Sequence, residues 1–266
     1  MSETLNNRTA VESALERSEL RAAFTLIELL VVMAIIALLA TIGLPALKGF
    51  GKGTGMTGAE RQMLDDLAMA RLRAINGRTT VYMVFVPTNI FASFGAATPK
   101  TLRQLTNLIS GQYTAYALLT KRTVGDQPGR ETPRYVSEWK RLPQGILIPR
   151  DKFYGPRLPT GLPNYAYLSG FEYVNTLPFP NSSGTNFTLP YIAFNSQGQL
   201  LSGRDELIPL AEGSIFFQKD NAGRYLNVEP DVVIKPPNNF TNHYIRINWL
   251  TGRASMDETT RPKFLN

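Results

Sequence analysis

Glu28 is the side chain whose position most strongly suggests chemistry, because it is the only charged group in the apolar segment 24–47. A carboxylate at the centre of a bilayer costs about 3 kcal/mol on insertion scales, so such a group usually has a partner. A polar segment, residues 1–23, ends in two alanines directly before Phe24. If the chain is cut between Ala23 and Phe24, the new α-amine lies one helical turn from Glu28. In a helical array, the amine of one subunit could then neutralise the glutamate of its neighbour.

The string FTLIELLVV, residues 24–32, resembles the N-terminal cleavage and methylation motif of prepilins. That family includes type IV pilins and the pseudopilins of type II secretion systems. The resemblance implies cleavage between Ala23 and Phe24 by a prepilin peptidase, N-methylation of Phe24 and a role for Glu28 in assembly. Two features depart from the family pattern. Ala23 stands where glycine is usual, and the leader is long, with four Glu against three Arg.

Other residues give little support for catalysis or cofactor binding. The chain has no cysteine, which excludes disulfides, thiolate catalysis and cysteine-ligated metal sites. His243 is the only histidine, so a multi-histidine metal site and a histidine relay are excluded, and we interpret His243 as a surface or strand-edge residue. Residues 53–58 match G-x-G-x-x-G, but a dinucleotide site needs a preceding strand. We therefore interpret these glycines as a hinge and predict neither enzymatic activity nor a cofactor.

The acidic pairs and the overall charge also give little support for a specific site. Asp205 and Glu206 could form a metal or acid–base pair, but the simpler prediction is an exposed loop pair. Asp220 and Asn221 could contribute to a calcium site, although regularly spaced oxygen ligands are absent around them. The formal net charge of +7 comes from scattered basic residues. It predicts a generally cationic surface and gives no firm indication of nucleic-acid binding.

Residues 24–47 are long enough to cross a membrane as a helix. Twenty-four helical residues extend about 36 Å, and the hydrocarbon core is about 30 Å thick. A cleavable secretory signal would have a shorter apolar stretch, of about 7–15 residues. An ordinary membrane anchor explains the length of the segment but not Glu28. Arg17 and Arg21 place the leader 1–23 on the cytoplasmic side.

The elements that follow must connect this segment to the rest of the chain. Pro45 is predicted to kink the helix, and the glycine-rich residues 48–58 are predicted to form a weak or melted joint. A second, periplasmic helix is predicted over 59–76, with Thr57 and Glu60 as a capping box. Its apolar face is predicted to contain Met63, Leu67, Ala70 and Ala74, whereas Arg61, Asp65, Asp66 and Arg73 are predicted on other faces.

Residues 77–266 are predicted to form a β-rich domain, which makes the chain an α+β protein. Strands are predicted over 79–86, 113–123, 145–148, 191–194, 213–218 and 244–249. Residues 197–199 and 221–223 are predicted as hairpin turns, and 88–112, 124–138 and 155–189 as loops or insertions. The last of these contains Tyr165, Tyr167, Phe171 and Tyr173, which could contact a partner but are predicted to pack over the sheet.

Short stretches at 70–75, 139–145, 192–198, 244–247 and 251–253 resemble H-type minor pseudopilins. Pilin-like proteins of the Verru_Chthon cassette D type are similar too. The resemblance implies a long helix on an antiparallel sheet, in a structural subunit of a type IV pilus-like or type II secretion pseudopilus filament. Its partners would be the prepilin peptidase, other pilin or pseudopilin subunits and the inner membrane, with the β-rich domain periplasmic or otherwise outside the cytoplasm.

One alternative stays open at this point. The chain could be a membrane-anchored binding or adhesion module with a single span that never assembles. The system that a filament would serve, whether secretion, adhesion or DNA uptake, is also open.

Overall fold

The computed structural model describes residues 25–122, 125–127, 129, 131–154, 170–235 and 243–257. It describes the side chains in these ranges except those of residues 42–54, 96, 175 and 176. The predicted leader 1–23, the cut between Ala23 and Phe24, and Tyr165 and Tyr167 lie outside the described residues. The chain divides into two compact units, Met1–Gly51 and Lys52–Asn266.

One helix, α1, covers Leu26–Gly77, and its residues belong to both units. The predicted start of a second helix at Thr57 is wrong, because α1 is continuous through this residue. Residues 48–58 are helical too, and a weak joint there stays a prediction. Glycine disfavours a helix by about 1 kcal/mol relative to alanine, but burial of Met56 and Ala59 within the second unit opposes this cost. Bending at the glycines and a kink at Pro45 stay predictions.

In the second unit, α1 buries a stripe of apolar side chains. The stripe consists of Met56, Ala59, Met63, Leu67, Ala70 and Ala74. The spacing of three and four residues places all six on one face of the helix. The predicted apolar face of α1 is therefore confirmed. Three of the six residues are alanines, which allow the helix backbone to lie close to the elements beneath it.

Two shorter helices and twelve strands make up the rest of the described chain. The helices are α2 (Pro99–Ile109) and α3 (Arg150–Tyr154), and a 3-10 helix covers Ile90–Ala96. The strands are β1 (Val81–Phe85), β2 (Ala115–Thr120), β3 (Arg134–Tyr135), β4 (Lys140–Arg141), β5 (Ile146–Leu147), β6 (Glu172–Phe179), β7 (Thr185–Phe194), β8 (Glu206–Pro209), β9 (Ala211–Phe216), β10 (Asp231–Ile234), β11 (Tyr244–Ile247) and β12 (Ala254–Asp257).

The main sheet has the order β3-β2-β1-β7-β6, and β4 also pairs with β2. Its strand pairs are antiparallel. β1 lies at the centre, and all five of its residues are buried. Alternate side chains of β1 therefore enter two different cores. Val81, Met83 and Phe85 pack with the stripe of α1, whereas Tyr82 and Val84 pack beneath α2 and the 3-10 helix.

Two small sheets complete the domain, with the orders β10-β9-β5 and β12-β11-β8. The first of these sheets contributes Ile146 and Leu147 of β5 and Ala211 of β9 to the core beneath α1. The second contributes Ile208 of β8 and Ile245 and Ile247 of β11 to the same core. The α+β class and the long helix packed with an antiparallel sheet are thus confirmed.

The helices over the second face of the sheet were not predicted, since residues 88–112 were expected to be a loop. Thr98 caps α2, and its Oγ1 accepts a hydrogen bond from the amide of Thr101 at 3.4 Å. Pro99 occupies the first turn, where its missing N–H is not needed. Leu105, Leu108 and Ile109 are buried at helical spacing. The threonine–proline start and this spacing are signals that the sequence does contain.

Each of the six predicted strands overlaps an observed one, but others were missed. β6 and the first half of β7 fall in the stretch 155–189 that was expected to be a loop. Pro178 and Pro190 lie inside these strands, and proline argues against a strand interior. The turns at 197–199 and 221–223 are confirmed, with Gly198 and Gly223 at φ values of +79° and +77°.

Leu67→Ala should lower the free energy of unfolding by about 2–5 kcal/mol, because it leaves a cavity beneath α1. Leu72→Ala is the matched control, since Leu72 is on the same helix but 53% exposed. Chemical denaturation of the full chain in detergent, followed by circular dichroism, measures both effects. Equal losses for the two variants would contradict the burial of the stripe.

Candidate assembly site

Helix α1 begins with a reciprocal capping box formed by Thr25 and Glu28. The Glu28 amide donates to Thr25 Oγ1 at 3.2 Å, and the Thr25 amide donates to Glu28 Oε2 at 3.1 Å. The Thr25 hydroxyl also donates to Oε2 at 2.9 Å. These bonds satisfy two amides of the first turn that have no partner within the helix. The negative charge of Glu28 also lies at the positive end of the helix dipole.

The capping box was missed in the sequence, although T-x-x-E at residues 25–28 is its usual pattern. Thr57 and Glu60, the predicted capping box, fit the same pattern but lie inside α1. The capping box gives Glu28 a second role, because the carboxylate holds the helix start as well as carrying charge. A carboxylate that accepts two hydrogen bonds costs less to bury than one without partners.

Apolar side chains surround Glu28 on every side of the first unit's helix. Leu26 is 82% exposed, and the other large apolar side chains up to Leu39 are 45–68% exposed. A helix that is apolar all round needs an apolar environment on all sides. No helix among the described residues combines the length and hydropathy that a membrane span requires. The span predicted over 24–47 therefore stays a prediction.

In the second unit, Asp66 ties α1 to the main sheet. Asp66 was expected to face away from the core, but it is 3% exposed. Its Oδ2 accepts a hydrogen bond from the Tyr116 hydroxyl at 2.7 Å, and its Oδ1 accepts one from Lys140 Nζ at 2.5 Å. Gln62 donates to the same Tyr116 hydroxyl at 2.9 Å. Burial and the bond to Asp66 raise the pKa of Tyr116, so its proton stays in place for this bond.

Two further contacts attach α1 to the sheet that contains β11. Glu60 Oε1 lies 2.8 Å from His243 Nδ1, just before β11 begins. Arg71 Nε donates to the carbonyl of Thr251 at 2.7 Å, just after β11 ends. His243 is about one-third exposed and lies at the start of the strand, as expected. β11 is thereby attached to the helix at both of its ends.

The acidic pair at residues 205–206 is not an exposed loop pair, and that prediction is wrong. Glu206 opens β8 and is 4% exposed, and its carboxylate contacts the ammonium of Lys152, which has no exposed surface. Asp205 accepts hydrogen bonds from the Arg246 guanidinium at 2.6 Å and the Trp249 amide at 2.9 Å. Side chains of successive residues in an extended chain point in opposite directions, so Asp205, directly before β8, and Glu206, its first residue, have different partners.

Lys152 and Glu206 form a buried ion pair between α3 and β8. Burial lowers the pKa of Lys152 and raises that of Glu206, because each charged form loses its water. Phe171 lies 4.9 Å from the ammonium, and Arg204 and Glu172 form a second ion pair close by. Each of the two charges loses its hydration on burial. Removal of either partner would leave the other charge buried without compensation. The arrangement therefore fixes how α3 sits on β8.

The remaining predicted residues have simpler environments. Asp220 Oδ1 accepts from the amides of Ala222 and Arg224, so this carboxylate shapes a turn. Phe171 stacks on Phe85 with ring centroids 4.3 Å apart, and Tyr173 packs on the same core. For these two aromatic residues, the predicted packing over the sheet is confirmed. The Pro45 side chain lies outside the described set, as do Ala23 and Phe24.

The fold and the helix start together define an α+β protein of pilin-like architecture. A family model for the prokaryotic N-terminal methylation motif matches residues 20–44. The chain thus carries the signature of type IV pilins and pseudopilins at its amino end. No curated protein and no solved structure matches the chain.

Glu206→Gln should lower the free energy of unfolding by about 3–5 kcal/mol, because Lys152 keeps its buried charge and loses its partner. The double variant Lys152→Met, Glu206→Leu should recover part of this loss. Arg224→Gln removes a cation that is 81% exposed from an ion pair with Asp220 and should change stability little. Denaturant melts of the wild type and these three variants test the prediction. Unchanged stability of Glu206→Gln would contradict the role of this ion pair in attaching α3 to β8.

Proposed function

We propose that the chain is a structural subunit of a type IV pilus-like or type II secretion pseudopilus filament, processed by a prepilin peptidase. The match of the methylation motif to residues 20–44 carries this proposal. The motif is typical of structural proteins, which agrees with a subunit that performs no catalysis. H-type minor pseudopilins and pilin-like proteins of the Verru_Chthon cassette D type are the two subgroups that its sequence resembles most.

Processing would create the charge that Glu28 needs. Hydrolysis between Ala23 and Phe24 frees an α-amine, and methylation of that amine leaves it cationic at neutral pH. Within one subunit, the amine lies four residues before Glu28, whose Oε2 already accepts two hydrogen bonds from Thr25. We propose that the amine of one subunit pairs with the Glu28 carboxylate of its neighbour.

The same segment supports a proposal of membrane anchoring. The apolar surface of residues 26–39 needs an apolar solvent before assembly and apolar neighbours after it. A bilayer supplies the first, and a bundle of identical helices supplies the second. We propose a single span over 24–47 in the inner membrane, with the unit Lys52–Asn266 on the periplasmic side.

Glu28→Ala should leave membrane insertion intact and reduce incorporation into filaments at least tenfold. The reason is that the neighbour's amine then enters an apolar bundle without a counter-charge. Immunoblots of membrane and sheared-filament fractions from the native host measure both steps. Asp65→Ala is the control, since Asp65 is an exposed acid on the same helix. Wild-type levels of Glu28→Ala in filaments would contradict the proposed pairing.

Mass spectrometry of the amino-terminal peptide tests processing separately. A peptide that begins at methylated Phe24 is expected. An intact Met1, in a protein that floats with membranes and is absent from filaments, would favour a non-assembling anchored module instead.

A further inference from the structure

Helix α1 ends in a Schellman motif whose left-handed residue is an arginine. The Arg78 amide donates to the Ile75 carbonyl at 3.2 Å, and the Thr79 amide donates to the Ala74 carbonyl at 3.1 Å. Arg78 therefore occupies the position where glycine is usual, and its φ is +45°. Gly77 stands one residue too early, as the last residue of the helix. A side chain at this position is strained, so a gain elsewhere is expected to offset it.

A cavity of about 360 Å³ lies beside this strained residue. Three cationic side chains line it, namely Arg78 at the end of α1 and Lys121 and Arg122 directly after β2. Among the described residues that line the cavity, Glu131 is the only acid. Its carboxylate is 3.9 Å from Lys121 Nζ and half-exposed, so it offsets only part of the positive charge.

Neutral hydrogen-bond donors complete the wall. Thr79, Thr80 and Ser196 contribute hydroxyl groups from the residues before β1 and after β7. Guanidinium groups, an ammonium and hydroxyls are the donors that bind the oxygens of phosphate. Cations exceed acids by two in this lining, which matches the charge of about −2 on a phosphate group near neutral pH. The cavity also has room for part of a molecule that bears the phosphate.

We propose that this cavity binds a phosphate group, either free or attached as an ester to a larger molecule. Arg78 would hold the group from the helix end, and Lys121 and Arg122 from the sheet. This site would explain why the helix ends in a strained arginine when glycine would fit without strain. It lies within the unit Lys52–Asn266 and does not depend on the proposed assembly of Glu28.

Phosphorus NMR of the full chain in detergent tests the binding, with inorganic phosphate, glycerol 3-phosphate and dimethyl phosphate as separate probes. Wild-type protein should broaden the line of at least one probe, and the pattern shows whether free phosphate, a monoester or a diester fits. Arg122→Gln and Lys121→Gln should each weaken binding at least fivefold. Glu131→Gln should strengthen it about two- to fivefold, since a repulsive charge is removed.

Lys219→Gln and Glu138→Gln are the matched controls, because both residues are exposed and neither lines this cavity. The controls should bind each probe as wild type does. Equal broadening by wild type, Arg122→Gln and Lys121→Gln would overturn the proposal, and so would the absence of broadening with all three probes.

Arg78→Gly separates a binding role from a structural one. Glycine should relieve the left-handed strain and raise the melting temperature by about 2–4 °C, while phosphate binding falls at least fivefold. Arg78→Lys should keep the strain and part of the binding. If Arg78→Gly stabilises the protein and binds phosphate as wild type does, Arg78 has no part in a phosphate site and the proposal is wrong.

Discussion

The close approach of helix α1 to the main sheet is the constraint on which the second unit depends. Met63 and Leu67 of α1 belong to the same core as Val81, Met83 and Phe85 of β1, and Ala59, Ala70 and Ala74 are the small residues of the stripe. The same packing allows polar contacts between α1 and the main sheet. Asp66 can accept from Tyr116 and Lys140 only because the helix lies this near. The energetic cost of burying its charge is offset because the Tyr116 hydroxyl and the Lys140 ammonium both donate to it.

The same helix meets a different requirement in the first unit. Its residues up to Leu39 show no buried stripe and are apolar on all sides. The intrachain bonds of Glu28 lower the cost of a charge in such surroundings, but they do not remove the charge itself. In the proposed filament, the α-amine of a neighbouring subunit would supply the opposite charge. Helix α1 thus contains both a segment whose apolar side chains are exposed and a segment whose apolar side chains are buried in a core.

Local patterns predicted much of this architecture, and non-local contacts account for most of what they missed. The helical spacing of Met63, Leu67, Ala70 and Ala74 and the unbroken apolar run of β1 can be read directly from the sequence. Asp66 and Glu206 were misplaced because their partners, Lys140 and Lys152, lie more than 50 residues away in sequence. Pro178 and Pro190 obscured two strands that tertiary pairing nevertheless forms. At the candidate assembly site, the sequence indicated Glu28 but not its bonds to Thr25.

The Lys152–Glu206 pair has a further consequence for how the domain opens. An ammonium with no exposed surface cannot meet an acylating reagent while α3 remains on β8. Modification of this one lysine would therefore report the fraction of molecules in which the domain has opened, whereas lysines on the surface react in every molecule. The buried amine of Lys152 is therefore a chemical probe of how often the domain opens.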